Sequence, residues 1–181
     1  YIAAGGVTFR QFMADGFRGH RATEDDWALH LSTLFPEARM KRFIEIRGCD
    51  CGSPDMVMAL GPLCRALFYD DTARGHAIEL TAALDLDQRN ELADRVPREG
   101  MATPVGDTGR RIGELARDLM AIATDALDRL APAEQPYLDP LRAIAASGRT
   151  QADAIADRWR ETGGDPAAII AHTAHIRPSA A

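Results

Sequence analysis

The sequence predicts an α+β fold that is predominantly α-helical. Helix start signals recur along the chain, one long segment has the spacing of an amphipathic helix, and only one or two short runs resemble strands. With 181 residues, of which 46% are hydrophobic, the chain is long enough to bury a core. We therefore expect about seven or eight helices and very little sheet.

Two short runs have the composition of strands. Tyr1–Val7 is apolar and ends in a glycine pair, and Phe43–Arg47 alternates so that Glu45 and Arg47 share one face over two isoleucines on the other. Two short strands do not form a stable sheet alone. We expect the Phe43–Arg47 strand to pair with Tyr1–Val7 or with strands outside this sequence.

Helix starts are marked by residues whose side chains cap the first turn. They are Thr8, Thr23 or Glu24, Ser53, Asp85, Thr150 and Asp165. The second of these helices ends or bends at Pro36. The run from Met56 to Tyr69 is apolar on nearly all sides, which predicts a buried helix.

The second half of the chain predicts helices throughout. One runs from Asp85 to about Val96, and the clearest three-four periodicity lies between Asp107 and Leu130. Two more pass from Leu138 to Gly148 and from Thr150 to the Gly163-Gly164 pair. No internal repeat and no interdomain linker interrupts them.

The composition excludes several classes of function. The formal net charge is -6 and the arginines are interleaved with acids, so no basic surface for nucleic acid is expected. No apolar run approaches the roughly 20 residues that cross a bilayer, and no signal peptide opens the chain. We expect a cytoplasmic protein without nucleic-acid or membrane partners.

The cysteines favour structural thiols. Cys49, Cys51 and Cys64 are an odd number, which is not typical of a disulfide-built secreted domain. The C-x-C pair lacks the further ligands that a zinc site needs. Reduced thiols are the expected state.

Glu45 and Arg47 allow two interpretations. They are a solvated strand face, as most such pairs are, or they are a functional pair. In the second interpretation Glu45 is an oxygen ligand for a hard cation such as Mg²⁺, and Arg47 is a planar fork that binds a phosphoryl group. Spacing alone does not decide between them.

The surrounding segment favours the functional interpretation. Residues 30–50 read HLSTLFPEARMKRFIEIRGCD. This segment resembles the H-[LT]-[ST]-T-[LI]-F-P-x-[VA]-R-x-K-R-[YF]-x-E-x-R-G-x-D pattern of plant-type and proteobacterial glutamate-cysteine ligases. The similarity extends over nearly the whole chain and is densest between Thr8 and Asp70.

The resemblance implies a place in a larger fold. The chain is expected to be the C-terminal portion of one ligase catalytic domain, with residues 1–52 as the strand and motif segment and 53–181 as helical support. Its strands would belong to the antiparallel sheet of a glutamine-synthetase-like ligase fold.

The resemblance also implies a reaction and its cofactors. ATP phosphorylates the side-chain carboxylate of L-glutamate, and the amine of L-cysteine attacks the γ-glutamyl phosphate, which is the first step of glutathione biosynthesis. ATP and Mg²⁺ are the implied cofactors. Glu45 matches the family's metal ligand and Arg47 its phosphate-binding catalytic arginine. Weaker candidates for binding substrate or nucleotide are Arg39, Lys41, Thr33 and His30.

Alternatives remain for several of these residues. Arg39 pairs with a buried acid in one interpretation, and His30 is better explained as a packing or hydrogen-bonding histidine than as a base. His172 and His175 are expected on the surface of the last helix.

Full-length members of the family carry an additional N-terminal portion that supplies most metal-binding carboxylates and most of the sheet. We expect this chain to be inactive alone, with that missing portion as its partner and an open strand edge that allows a homodimer. Two other functions remain: a non-catalytic helical interaction module or subunit, and a carboxylate-amine ligase with another amine acceptor.

Overall fold

The computed structural model describes residues 3–50 and 52–174. They form two compact units, Tyr1–Asp50, called the N-terminal unit, and Cys51–Ala181, called the C-terminal unit. The described part contains nine α-helices and one two-stranded antiparallel sheet, which confirms the predominantly helical α+β class. Within it, no helix combines the length and apolarity needed to cross a bilayer.

The N-terminal unit consists of two short helices and a hairpin. Its elements are α1 (Phe9–Asp15), α2 (Glu24–Ser32), β1 (Ala38–Met40) and β2 (Ile44–Ile46). Both helices begin after the predicted threonines, Thr8 and Thr23. Each threonine side chain accepts a hydrogen bond from the amide three residues later, and that residue's side chain accepts one from the threonine amide.

The predicted pairing of the Phe43–Arg47 strand with Tyr1–Val7 is not observed among the described residues, and its pairing with strands outside this sequence stays a prediction. Residues 3–7 form a turn and irregular chain, and Tyr1 and Ile2 lie outside the described residues. The second predicted strand is shorter than expected, Ile44–Ile46, and its partner is Ala38–Met40. The reason is local: only three residues separate the two segments, so closing the hairpin loses little chain entropy.

In its described part the C-terminal unit consists of helices joined by loops. Its helices are α3 (Pro54–Tyr69), α4 (Asp71–Glu79), α5 (Leu86–Glu99), α6 (Ile112–Leu130), α7 (Asp139–Ser147), α8 (Gln151–Glu161) and α9 (Pro166–Thr173), with 3₁₀ turns at Gly100–Ala102 and Pro132–Leu138. The N-caps that the sequence predicts for this unit are observed. Helix α6 starts later than expected, because Pro104 and Arg111 form a bridge in the preceding loop.

The core of the C-terminal unit lies between α3, α4, α6 and the second 3₁₀ turn. Its fully buried members are mostly alanines, which let the helix backbones approach closely. They are Ala66, Ala73, Ala123, Ala126, Leu127 and Leu138. Leu127 and Leu138 fill the largest share of this space.

Helix α3 is not buried on all sides, so that prediction was wrong. Ala59, Pro62 and Ala66 face the core, whereas Met58 and Tyr69 are exposed. Helices α4, α6 and α7 and the second 3₁₀ turn pack against α3 within this unit, and they cover only part of its surface. Apolar composition does not show how many neighbours a helix has.

Candidate functional site

The hairpin of the N-terminal unit separates charged from apolar side chains. Arg39 on β1 lies directly opposite Glu45 on β2. Because side chains alternate between the faces of a strand, these two project on the same side, and Lys41 and Arg47 follow them there. The apolar residues of both strands project on the other side.

Three cations surround the Glu45 carboxylate. Arg39 Nε and Nη2 each lie 2.8 Å from Glu45 Oε2, and Lys41 Nζ lies 3.7 Å from the same oxygen. Arg47 Nη1 lies 3.2 Å from Oε1. We call these four residues the charged cluster. Three cations and one anion leave it a net charge of +2.

The carboxylate of Glu45 is held in its ionised form. The hydrogen bond from Arg39 is the largest of the effects that lower its pKa, desolvation opposes it, and the charges of Arg39, Lys41 and Arg47 add to the lowering. At neutral pH the cluster therefore keeps its one negative charge.

Arg39 also contacts the end of α2. Its Nη1 donates to the carbonyl of Leu34 at 3.1 Å and reaches that of Ser32 at 3.5 Å. These carbonyls lie at and just beyond the helix C-terminus, where cationic donors are favourable. Arg39 thus joins the hairpin to α2.

Phe35 is a further member of the site, and it is not among the candidate residues that the motif predicts. Its ring lies 4.9 Å from the guanidinium carbon of Arg47 and 5.6 Å from that of Arg39. Both distances are within the range of cation–π attraction. The signal for Phe35 in the sequence is an aromatic residue four positions before Arg39, with Pro36 between them.

Thr33 and His30 have structural contacts instead. Thr33 caps the C-terminus of α2, and its hydroxyl donates to the His30 carbonyl at 2.7 Å. The His30 ring stacks on Phe9 with 4.5 Å between centroids and lies 5.6 Å from Trp27. His30 is therefore a packing histidine, as one of its two interpretations predicts. A ligand contact by His30 or Thr33 stays a prediction.

A pocket of about 390 Å³ opens beside His30. Its lining is Ala4, Val7, Phe9, Phe12, Phe17, His20 and His30. The wall is apolar and aromatic apart from two imidazoles, and it shares no residue with the charged cluster. Its chemistry suits an apolar group better than a phosphate.

The described residues do not by themselves build a metal site. Among residues 3–50 and 52–174, no three His, Cys, Asp or Glu side chains lie close enough to hold an ion together. Glu45 supplies carboxylate oxygens, which Mg²⁺ prefers, but its neighbours are cations. Cys49 is exposed, while Cys51 and His175 lie outside the described residues.

Comparison with known proteins identifies the family. The model of glutamate-cysteine ligase family 2 matches residues 8–172. The chain belongs to this family. The match includes α1 to α8 and all four residues of the charged cluster.

Individual members of the glutamate-cysteine ligase family are similar over most of the chain. The chain is 33% identical over 162 residues to the chloroplastic glutamate–cysteine ligase of Arabidopsis thaliana, which is 88% of this chain and 31% of that protein. The Medicago truncatula enzyme is 30% identical over 169 residues, or 90% and 33%. Ligase A of Oryza sativa subsp. indica is 32% identical over 158 residues, or 86% and 32%. The chain spans about a third of the length of these relatives.

Proposed function

We propose that this chain contributes to the ATP-dependent ligation of L-glutamate to L-cysteine through a γ-glutamyl phosphate. Membership of the family supports the overall reaction, since the relatives carry the name glutamate–cysteine ligase. The observation that supports a direct part in the chemistry is the charged cluster, whose net charge of +2 lies on one face of a hairpin.

The proposed role of the cluster is to bind anionic oxygens. The reaction brings together ATP phosphates and the glutamate carboxylate, so fixed cations are needed where their charges converge. Arg47 offers a planar guanidinium suited to two phosphoryl oxygens, and Lys41 offers a point charge beside it. Glu45 keeps these cations apart and oriented before a ligand arrives.

ATP and Mg²⁺ are proposed as cofactors on the family resemblance. The described residues provide one carboxylate at this site and no group of three metal-binding side chains. Glu45 would therefore serve as a single ligand among others that come from elsewhere in the protein.

The partners follow from the same reasoning. We propose that the further sequence corresponding to the rest of the relatives supplies the remaining active-site groups, and that the isolated 181-residue chain does not catalyse the reaction. A cytoplasmic location and a homodimer stay predictions, and the relatives named above are chloroplastic proteins.

The experiment is an assay of the complete natural polypeptide with glutamate, cysteine and ATP, with the product measured by mass spectrometry. We expect γ-glutamylcysteine together with ADP and phosphate. Omitting cysteine and supplying other amines in turn tests for a different acceptor. No amide product with any amine would contradict the proposal, and product formation by the purified 181-residue chain would contradict the inactivity of that chain.

A further inference from the structure

The geometry points to Arg39 as a positioning residue that holds Glu45 and does not touch the ligand. Resting on the proposed function, this inference divides the three cations of the charged cluster into one internal arginine and two ligand-binding side chains, Lys41 and Arg47. The family motif makes Arg39 and Lys41 equal candidates for ligand binding, whereas their contacts in the structure differ.

The donors of Arg39 are committed within the protein. Its Nε donates to Glu45 Oε2 at 2.8 Å, its Nη2 forms an ion pair with the same oxygen at 2.8 Å, and its Nη1 donates to the Leu34 carbonyl at 3.1 Å. Its side chain is only 16% exposed. A ligand would have to displace these bonds in order to reach the guanidinium, and each is charge-assisted or satisfies a carbonyl near a helix end.

Lys41 and Arg47 differ from Arg39 in both respects. Lys41 has one ion-pair contact, at 3.7 Å, and its side chain is 47% exposed. Within the described part of the chain, the Arg47 side chain makes one hydrogen bond, at 3.2 Å, and it is 31% exposed. Both keep donors that an anion can reach, and neither loses a strong bond when the anion arrives.

The two oxygens of Glu45 are consequently unequal. Oε2 accepts a hydrogen bond from Arg39 Nε and has Nη2 at the same 2.8 Å distance, whereas Oε1 has the longer contact with Arg47, at 3.2 Å. Arg39 fixes the carboxylate by one oxygen and leaves the other directed toward Arg47. The orientation of Arg47 therefore depends on Arg39 through Glu45, without contact between Arg39 and the ligand.

The test is a double-mutant cycle in the complete natural polypeptide, with Arg39→Lys, Glu45→Gln and the double variant. Lysine keeps the charge but cannot contact Oε2 through two nitrogens while a third donates to the Leu34 carbonyl. The equilibrium binding of ATP is measured by dialysis without added metal. Arg42→Ala is the matched control, because Arg42 is an exposed cation in the same turn that lies outside the charged cluster.

Each single variant is expected to bind ATP about tenfold more weakly, and the double variant no more weakly than Glu45→Gln alone, since Arg39 acts through Glu45. Arg42→Ala should bind within about twofold of the wild type. Independent losses that multiply in the double variant would show that Arg39 contacts ATP itself. Unchanged ATP binding by the Arg39→Lys variant would show that a positive charge at position 39 is enough and that the contacts of the guanidinium are not needed. Either result overturns the inference.

Failure of the proposed function is distinguishable. If the wild-type polypeptide neither binds ATP nor makes the amide, the proposed function is wrong. The coupling between Arg39 and Glu45 is then measured by the resistance to urea of the wild type, the two single variants and the double variant. Coupled losses of stability would support the Arg39 assignment, and additive losses would overturn it.

Discussion

The two units of this protein stabilise themselves in different ways. The C-terminal unit has a core in which Leu127 and Leu138 are completely buried. The N-terminal unit contains no fully buried residue among those described, and Met40 and Ile44 on its hairpin are 80% and 64% exposed. Capping boxes, the hairpin and the charged cluster provide its order instead.

The unit that carries the proposed ligand-binding cluster is thus the one that has no fully buried core among its described residues. A hairpin with one charged face and one uncovered apolar face is marginal in water. The apolar face is the kind of surface that further protein covers. The largest expected consequence is a difference in amide exchange between the hairpin and α6.

In the 181-residue chain, amide hydrogens of the hairpin should exchange about a hundredfold faster than those in the middle of α6. The hairpin has few buried contacts to hold it closed, whereas α6 lies in the core. Hydrogen exchange measured by mass spectrometry compares peptides covering 38–46 and 112–130. Equal protection of both would contradict the comparison, and stronger protection of the hairpin in the complete polypeptide would sharpen it.

A matched pair of leucine substitutions separates the units energetically. Leu127→Ala should lower the free energy of unfolding by about 2–5 kcal/mol, because it leaves a cavity in a fully buried site. Leu29→Ala, on the exposed side of α2, should change it by less than about 0.5 kcal/mol. Urea unfolding followed by circular dichroism measures both. Similar losses would mean that the N-terminal unit has a core of its own.

In these two units the sequence predicted where most helices start, but not every helix and not what covers its apolar face. Helix starts at Thr8, Ser53 and Asp85 were predictable because a cap depends on neighbours within four residues. Helix α4 was not predicted, since Gly75 in its middle has a low helix propensity and its apolar residues are few. The uncovered face of α3 could not be predicted either, because periodicity identifies apolar residues but not what covers them.

In the site, likewise, the sequence predicted residues but not all of their contacts. Glu45 and Arg47 were found from the motif, and their neighbourhood followed from strand alternation. The sequence does not specify the partner of Arg39, because that partner depends on the register of a hairpin whose first strand has only three residues. A pattern with a period of two is too weak to recognise at that length.

Acid should weaken the C-terminal unit through Asp70. Its carboxylate accepts from the Ala73 amide at the start of α4 and from Arg129 of α6, and these bonds lower its pKa. A lowered pKa in the folded state adds stability above the ordinary carboxyl pKa, and that stability is lost as the pH falls through the lowered value.

Substitution of Asp70 isolates this effect. Asp70→Asn should be less stable than the wild type at pH 7, and the difference should shrink as the pH falls below about 4. Thermal unfolding at a series of pH values measures it. The control is Asp26→Asn in the N-terminal unit. Hydrogen bonds from Thr23 lower the pKa of the Asp26 carboxyl, and removing that carboxyl should leave the main unfolding transition unchanged. A pH-independent difference between Asp70→Asn and the wild type would contradict the ion-pair explanation.

The smallest expected effect is at the start of α3. The Ser53 hydroxyl accepts from the Met56 amide at 3.4 Å, and Pro54 follows at the first helical position. Ser53→Ala should cost about 1 kcal/mol, and Ser53→Asp should restore most of it. Urea unfolding measures both variants, and equal stability of all three proteins would show that the cap contributes nothing.

The most direct test of the central claim is the rate of γ-glutamylcysteine formation by the complete polypeptide carrying Arg47→Ala. If the charged face of the hairpin is the ligand-binding surface, kcat should fall about a hundredfold or more, because a cationic donor to the reacting phosphoryl group is lost. The Arg42→Ala variant should remain within about twofold of the wild type. Equal rates for Arg47→Ala and Arg42→Ala would contradict the assignment of this hairpin as part of the active site.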